Sequence, residues 1–171
     1  QMGTGDADSF AFSIAKLSHW DLCDCIAIVS AGHKKTGSTE GHAIAGTSPL
    51  QSARVADAPR RLDMCRRAVL EHDFNALAGI MELDSDMMHA VMMTSSPALH
   101  YWQSASVTVM QAVRQWRAEG LPVAYTVDAG PNVHVLCPSG VQDEAESRLK
   151  SLPGVEKVLT AGVGGPAGLV K

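Results

Sequence analysis

The sequence has little of several features that would assign it to a specialised class of protein. No apolar run is long enough to cross a bilayer and no secretory pattern opens the chain, so we expect a cytoplasmic protein with no membrane partner. The net charge is −4 and the Lys and Arg residues are not gathered into runs, which argues against a nucleic-acid partner. No HExxH or HxxxH pattern occurs, and no second Cys or His pair accompanies Cys23 and Cys25, so we predict no metal site.

The basic residues and cysteines that do occur have structural interpretations. The densest basic stretch consists of Arg60-Arg61 and Arg66-Arg67, which acidic residues flank on a helix-like segment, so the pattern predicts a solvated helix face. Cys23 and Cys25 are two residues apart in an apparent strand, and both thiols should therefore point to the same face. The four cysteines fit a reducing compartment, and we expect buried free thiols rather than metal ligands.

Length and composition predict one soluble domain that spans residues 1–171. The chain is 46% hydrophobic and 19% charged, as in ordinary globular proteins. Strand patterns occur at residues 9–15, 25–30, 122–127, 132–137 and 155–160, and the second of these is continuously apolar, which is typical of a buried central strand. The fold class that follows is α+β, with a small sheet of about four strands and helices packed on one face.

Helix signals are clearest where proline and aspartate mark starting points. A weak helical pattern covers residues 38–57. Pro59 is well placed as the first residue of a helix that ends near His72, because proline fits the first helical position. Asp73 can cap the helix that follows.

Two later helices are bounded by a glycine and by a capping pattern. One runs from about Ser104 to Glu119, and Gly120 is expected to stop it. Ser139 and Gln142 have the spacing of a capping box in front of a helix that ends near residue 151.

Asp128 stands where a predicted strand meets a turn, in the segment AYTVDAGPN at residues 124–132. Glycine permits backbone conformations that other residues avoid, and proline fixes the next φ angle. A carboxylate held on such a turn can face a ligand and take a proton from a substrate hydroxyl that attacks a phosphoryl group. An aspartate that only satisfies turn amides is equally compatible with the spacing.

The loop KKTGST at residues 34–39 is a second candidate site. If a helix begins at Ser38, its free amides, the hydroxyls of Ser38 and Thr39 and the ammonium groups of Lys34 and Lys35 would converge on an anion. A plain serine cap with solvated lysines explains the same residues equally well.

Three further features favour structural roles. His89 lies among methionines on a predicted helix, where a satisfied core histidine is the better interpretation. Asp84 and Asp86 are expected on the helix surface. The glycine-rich stretch at residues 161–168 is not followed by a helix, so it fails the structural test for a nucleotide-binding turn.

The segment AYTVDAGPN resembles the catalytic strand and turn of the diphosphomevalonate decarboxylase family. This family belongs to the superfamily of galacto-, homoserine, mevalonate and phosphomevalonate (GHMP) kinases. Other stretches are similar in the same order, namely DSFA at 8–11 with Trp20, IVS at 28–30 with the lysine pair, STEG at 38–41, and DS with HA between 84 and 90. The resemblance covers nearly the whole chain but only the C-terminal half of the family's fold, and DAGPN is its most specific part.

The resemblance implies a fold, a reaction and roles for particular residues. The fold would be the GHMP-kinase C-terminal domain, with a small ferredoxin-like antiparallel sheet. The family uses Mg-ATP to phosphorylate the 3-hydroxyl of a mevalonate phosphate, after which phosphate and CO₂ leave an isopentenyl phosphate. Asp128 matches the catalytic aspartate, usually assigned as the base. Ser38 matches a serine that lines the 5-phosphate pocket, and Thr39, Lys35 and His42 would bind substrate beside it.

The resemblance also marks what this chain lacks. The family's ATP-binding loop and its N-terminal lysine and tyrosine have no counterpart, so ATP and Mg²⁺ would be bound mainly by an N-terminal half of the same protein. We therefore expect the isolated 171 residues to show neither ATPase nor decarboxylase activity. His42 replaces a common Met and Gly37 replaces a common Ser, which leaves both mevalonate 5-phosphate and mevalonate 5-diphosphate open as substrates. Relatives are commonly homodimers.

Two other functions are compatible with the residues. A sister small-molecule kinase would stop at phosphorylation, although the intact Asp128 favours decarboxylation. A non-catalytic α+β binding module would account for the missing nucleotide loop.

Overall fold

The structure, a computed structural model, describes residues 12–30, 32 and 38–165. Within them the main elements are, in chain order, β1 Leu22–Ile28, α1 Ser38–Ile44, α2 Gln51–Glu71, α3 Phe74–Met93, α4 Ser104–Ala118, β2 Ala124–Thr126, β3 Val133–Pro138, α5 Gln142–Lys150 and β4 Lys157–Gly162. No helix in this described part is long and apolar enough to cross a membrane.

The four strands form one antiparallel sheet in the order β2-β3-β1-β4. A strand, a group of helices, two adjacent strands, a helix and a last strand follow each other along the chain, which is the ferredoxin-like arrangement. The predicted α+β class is therefore confirmed. The strands predicted at 122–127, 132–137 and 155–160 are confirmed too, with bounds that differ by one or two residues at every end.

Helices cover one face of the sheet, as predicted. In β1, Cys23, Cys25 and Ala27 are buried against α4 and α5, whereas the alternate residues are only half-buried. On that second face the His134 ring nitrogen Nδ1 lies 2.7 Å from the Asp24 carboxylate. Residues 25–28 of the run predicted at 25–30 thus belong to a central strand with one fully buried face, and residues 29 and 30 lie beyond its end. Both thiols point into the core, where burial raises the pKa of Cys23.

The helix predicted to begin at Pro59 begins eight residues earlier, so that prediction is wrong. Pro59 lies inside α2, which starts at Gln51. A proline removes one helical hydrogen bond, but α2 packs along the length of α3 and these tertiary contacts outweigh the local penalty. The side chain of Arg61 also donates to the carbonyl of Arg54 at 3.0 Å inside the same helix.

Arg61 also contradicts the predicted solvated face. Its side chain is only 4% exposed and its guanidinium contacts the carboxylates of Asp57 at 3.0 Å and Asp84 at 2.8 Å. Arg60 and Arg67 are more than half exposed, as expected. Periodicity cannot tell which of two adjacent arginines turns towards a neighbouring helix, because the acceptor comes from α3.

Two other local predictions are wrong. Residues 12–15 of the strand predicted at 9–15 are not in a strand, and Phe12 and Ile14 are exposed, whereas residues 9–11 lie outside the described part. Ser139 does not cap α5, because its hydroxyl donates to the carboxylate of Asp21 instead. In contrast, Asp73 caps α3 by accepting from the Ala76 amide at 2.9 Å, and Gly120 ends α4 with a φ of 100°.

Candidate active site at the β2–β3 turn

Asp128 is positioned by the residue before it, whose peptide groups are held by α3. The Val127 amide donates to the hydroxyl oxygen of Ser85 at 3.0 Å, and Ser85 donates to the Val127 carbonyl at 3.2 Å. The same carbonyl accepts from Nε2 of His89 at 3.1 Å. Because Ser85 and His89 are both buried, these bonds fix the point at which the chain leaves β2.

His89 is the core histidine that the sequence predicted, and it is 1% exposed. Its ring packs 4.9 Å from the centroid of Trp102. Burial lowers the pKa of His89, and the Val127 carbonyl and nearby carboxylates oppose that effect. Burial thus favours the neutral ring, which donates through Nε2 to the Val127 carbonyl, a role that helix periodicity alone could not predict.

Glycine is required in the turn itself. Gly130 has a φ of 53°, and a Cβ at this position would lie 2.8 Å from the Tyr101 carbonyl oxygen. Its amide donates to Oδ1 of Asp128 at 3.0 Å. The turn-amide interpretation of Asp128 is thus partly correct, but the residue is also exposed towards a cavity.

The far end of the turn is tied to two other elements. Ser106 of α4 donates to the Pro131 carbonyl at 2.5 Å. Oδ1 of Asn132 accepts from the amides of Val29 and Ser30, at 3.0 and 3.3 Å, just beyond β1. The motif DAGPN is consequently held by α3, α4 and β1 together, and its aspartate sits on a rigid support.

Asp128 and His42 face the same cavity of about 280 Å³. Its lining combines apolar and polar side chains, namely His42, Ala45, Gln51, Arg54, Met88, Val91, Met92, Tyr101, Asp128 and Ala129. Two of the five sequence-predicted site residues are therefore brought together. Thr39 is exposed on α1 and does not line this cavity. Ser38 is the first residue of α1, but its side chain is not among those that the structure describes, and Lys35 lies outside the described residues.

A glycine lets α1 approach this cavity closely. A Cβ on Gly41 would lie 2.5 Å from the Tyr101 hydroxyl and 3.1 Å from the Met92 sulfur. Burial raises the pKa of Tyr101 and the charge of Glu40 adds to this, so the phenol remains protonated. A glycine inside a helical segment was the available signal for this contact.

Sequence reasoning missed Arg54 altogether. The residue lies in the first turn of α2, lines the cavity, and has a side chain that is 25% exposed. Its Nη2 donates to Asp84 at 3.4 Å, a long contact. Its Nε is buried and has no acceptor among the described residues.

Asp84 and Asp86, predicted on the helix surface, are partly exposed but each contacts arginine. Asp84 accepts hydrogen bonds from Arg61 and Arg54. Asp86 accepts one from Arg114 at 2.7 Å and one from the Tyr125 hydroxyl at 3.0 Å. Among the described residues, no three His, Cys, Asp or Glu side chains are grouped so as to hold a metal ion.

Comparison with known proteins gives one consistent family. A family model described as the mevalonate 5-diphosphate decarboxylase C-terminal domain matches residues 25–161. The diphosphomevalonate decarboxylase of Candida albicans is 35% identical over 154 residues, which cover 87% of this chain and 42% of that protein. The human diphosphomevalonate decarboxylase is 38% identical over 134 residues, covering 75% of this chain and 34% of that protein. This chain thus spans less than half the length of these relatives.

The fold is similar to a solved structure described as "MDDEF in complex with MVAPP, AMPPCP and Magnesium". The TM-score is 0.77 at 28% identity, and the match covers 85% of this chain and 44% of that chain. The family resemblance first carried by the turn at residues 128–132 is confirmed by the matched sequence and the matched fold.

Proposed function

The chain belongs to the mevalonate 5-diphosphate decarboxylase family, and we propose that it is the C-terminal domain of an ATP-dependent decarboxylase of a phosphorylated mevalonate. The substrate would be mevalonate 5-diphosphate or mevalonate 5-phosphate, and the products an isopentenyl diphosphate or phosphate, ADP, phosphate and CO₂. One observation carries the proposal: a family-matching turn holds the Asp128 carboxylate at a cavity of about 280 Å³.

Asp128 is proposed as the catalytic base. Its carboxylate takes the proton of the substrate 3-hydroxyl while that oxygen attacks the terminal phosphoryl group of ATP, and ADP leaves. The Gly130 amide orients the carboxylate through a 3.0 Å hydrogen bond. The hydrogen bonds that Ser85 and His89 make with Val127 limit how far the Asp128 carboxylate can move from the substrate hydroxyl.

The apolar part of the cavity suits the hydrocarbon part of the substrate. Met88, Val91 and Met92 form a wall that contributes no charge. A carboxylate is poorly solvated beside such a wall, which favours its departure as neutral CO₂ once the tertiary phosphate has left.

The remaining partners of the reaction are proposed from the family. Ser38, Thr39, Lys35 and His42 would bind substrate at its phosphate end, and His42 lines the cavity with Asp128. ATP and Mg²⁺ would be held mainly by an N-terminal half, in keeping with the neighbouring structure that contains AMPPCP and magnesium. We further propose that this chain forms one domain and that the whole protein is a homodimer.

An assay of the full-length protein tests this function. ADP and CO₂ are measured with each of the two mevalonate phosphates and Mg-ATP, and equal amounts of both products are expected with at least one of them. ADP without CO₂ would indicate a kinase that stops at phosphorylation. Neither product with either substrate would contradict an enzymatic role and favour a binding module.

A further inference from the structure

We propose that Arg54 binds the phosphoryl end of the substrate in the cavity that contains Asp128, an inference that rests on the proposed function. It assigns a binding role to a residue of α2, which lies outside the motifs that carry the family resemblance. The juxtaposition that supports it is a cation with few acceptors, in one wall of a cavity whose other wall holds the base.

The position of Arg54 is fixed by its own helix. The carbonyl of Arg54 accepts from Arg61 Nη2 at 3.0 Å, which holds the backbone of this first turn. The side chain extends to the cavity, where His42 and Asp128 also lie. A ligand that contacts Asp128 therefore lies in the same small cavity that the Arg54 side chain lines.

The charge of Arg54 is poorly compensated within the described residues. A guanidinium carries five N–H donors, yet the one acceptor is Asp84, at 3.4 Å. Asp84 itself is engaged more closely by Arg61, at 2.8 Å. Partly buried donors without acceptors are costly, and an anionic ligand in the cavity would supply acceptors to the part of the guanidinium that is not fully buried.

Arg61, about two turns further along α2, shows what full compensation of a guanidinium looks like. Its guanidinium reaches two carboxylates and a carbonyl, at distances of 2.8 to 3.0 Å. It does not line the cavity. The two arginines share Asp84, and the one that faces the cavity is the one left with the weaker contact.

The neighbouring residue His42 favours the phosphoryl end over the carboxylate end. His42 lines the same cavity as Arg54 and is proposed above to bind the substrate at its phosphate end. On a phosphoryl group, the planar fork of arginine matches two oxygens and acts equally before and after the chemical step. The apolar wall of Met88, Val91 and Met92 remains for the part of the substrate that loses charge.

Equilibrium binding to the full-length protein tests the assignment. Isothermal titration calorimetry is carried out with mevalonate 5-diphosphate, inorganic pyrophosphate and unphosphorylated mevalonate on wild type, Arg54→Gln, Arg54→Lys and Arg67→Gln. Arg54→Gln is expected to weaken both phosphorylated ligands by about 10- to 100-fold, the effect of losing hydrogen bonds to a charged group. Mevalonate should change by less than about twofold and Arg54→Lys should retain part of the affinity. Arg67→Gln, an exposed site on the same helix, should match wild type.

The outcomes separate this inference from the proposed function. Equal loss for mevalonate and mevalonate 5-diphosphate would place Arg54 at the carboxylate, and unchanged binding of all three ligands would remove it from the site; both results overturn the assignment while decarboxylation stands. Loss of pyrophosphate affinity in a protein that releases no CO₂ would uphold the anion site and contradict the decarboxylase. A wild type that binds neither phosphorylated ligand overturns both. Thermal unfolding of each variant shows whether its fold is retained.

Discussion

Two charged clusters flank α3, and they differ in how completely their charges are matched. On the sheet side, the Glu82 carboxylate is 6% exposed and receives Arg117 at 2.5 and 2.8 Å, with Arg114 and the Tyr125 amide further out at 3.4 and 3.3 Å. On the α2 side, the guanidinium of Arg54 has one long contact among the described residues, to Asp84, and the side chain lines the cavity with Asp128.

On our proposals, this difference separates charges that support the fold from charges that meet a ligand. Glu82 links α3, α4 and β2, and each of its two carboxylate oxygens accepts two hydrogen bonds from described residues. Arg54 and Asp128 share a cavity, and Asp128 is exposed on an anchored turn. We therefore expect variants on the cavity side to change kinetics with little change in stability, and variants on the sheet side to do the reverse.

The largest effect is expected from Asp128→Asn. Loss of the base should lower kcat by about 100- to 10,000-fold, the usual contribution of general base catalysis. The unfolding free energy should change by less than about 0.5 kcal/mol, since the site is exposed and Asn can still accept from the Gly130 amide. Turnover and chemical denaturation are measured on the same full-length preparations. A variant that keeps wild-type turnover would refute the assignment of the base.

Glu82→Gln should show the opposite profile. Breaking the contact with Arg117 is expected to lower the unfolding free energy by about 2–3 kcal/mol, below the value for a fully buried pair because Arg117 is a quarter exposed. Substrate binding and kcat should stay within about twofold of wild type. Glu144→Gln is the matched control, because its pair with Arg148 is exposed and worth less than about 1 kcal/mol. Loss of activity at unchanged stability would break the distinction between the clusters.

The smallest effect is expected for the pH dependence of stability, to which His89 contributes through its hydrogen bond to the Val127 carbonyl. Because burial lowers the pKa of His89, the folded protein binds this proton more weakly than the unfolded chain does. The stability contributed by the neutral ring is fully present above about pH 6.5 and is lost as the pH falls through the lowered pKa. His89→Gln, which can still donate to Val127, should lose less stability than wild type between pH 7 and 5, with a difference of at most about 1.4 kcal/mol per pH unit. Denaturation midpoints across this range measure it, and identical slopes would contradict a neutral His89.

Features with a local cause could be read from the sequence. Asp73 caps α3 and Gly120 ends α4 because each satisfies backbone groups of its own helix terminus. Gly130 was expected to adopt a conformation that other residues avoid, and its φ of 53° confirms this. The ferredoxin-like fold came from the family resemblance rather than from periodicity.

Features whose cause lies far away in the sequence could not be predicted from it. Pro59 lies within a helix because α2 packs on α3. The hydroxyl of Ser139 donates to Asp21, which lies 118 residues earlier in the sequence. Arg54 belongs to no motif, and the cavity that it lines is built by α1, α2, α3 and the turn. Composition and spacing record none of these contacts.

The central place of β1 in the sheet affects how the chain folds as it is made. Both neighbours of β1 come from more than a hundred residues later, with Cys23 opposite Cys137 on one side and Gly162 on the other. At a synthesis rate of about 5–20 residues per second, this strand waits many seconds with two unpaired edges. The adjacent helices α2 and α3 can pair within that time, because their contacts are local. Helices α2 and α3 can therefore pack together during translation before the sheet forms. The four-stranded sheet is complete only after β4 has been synthesised and has paired with β1.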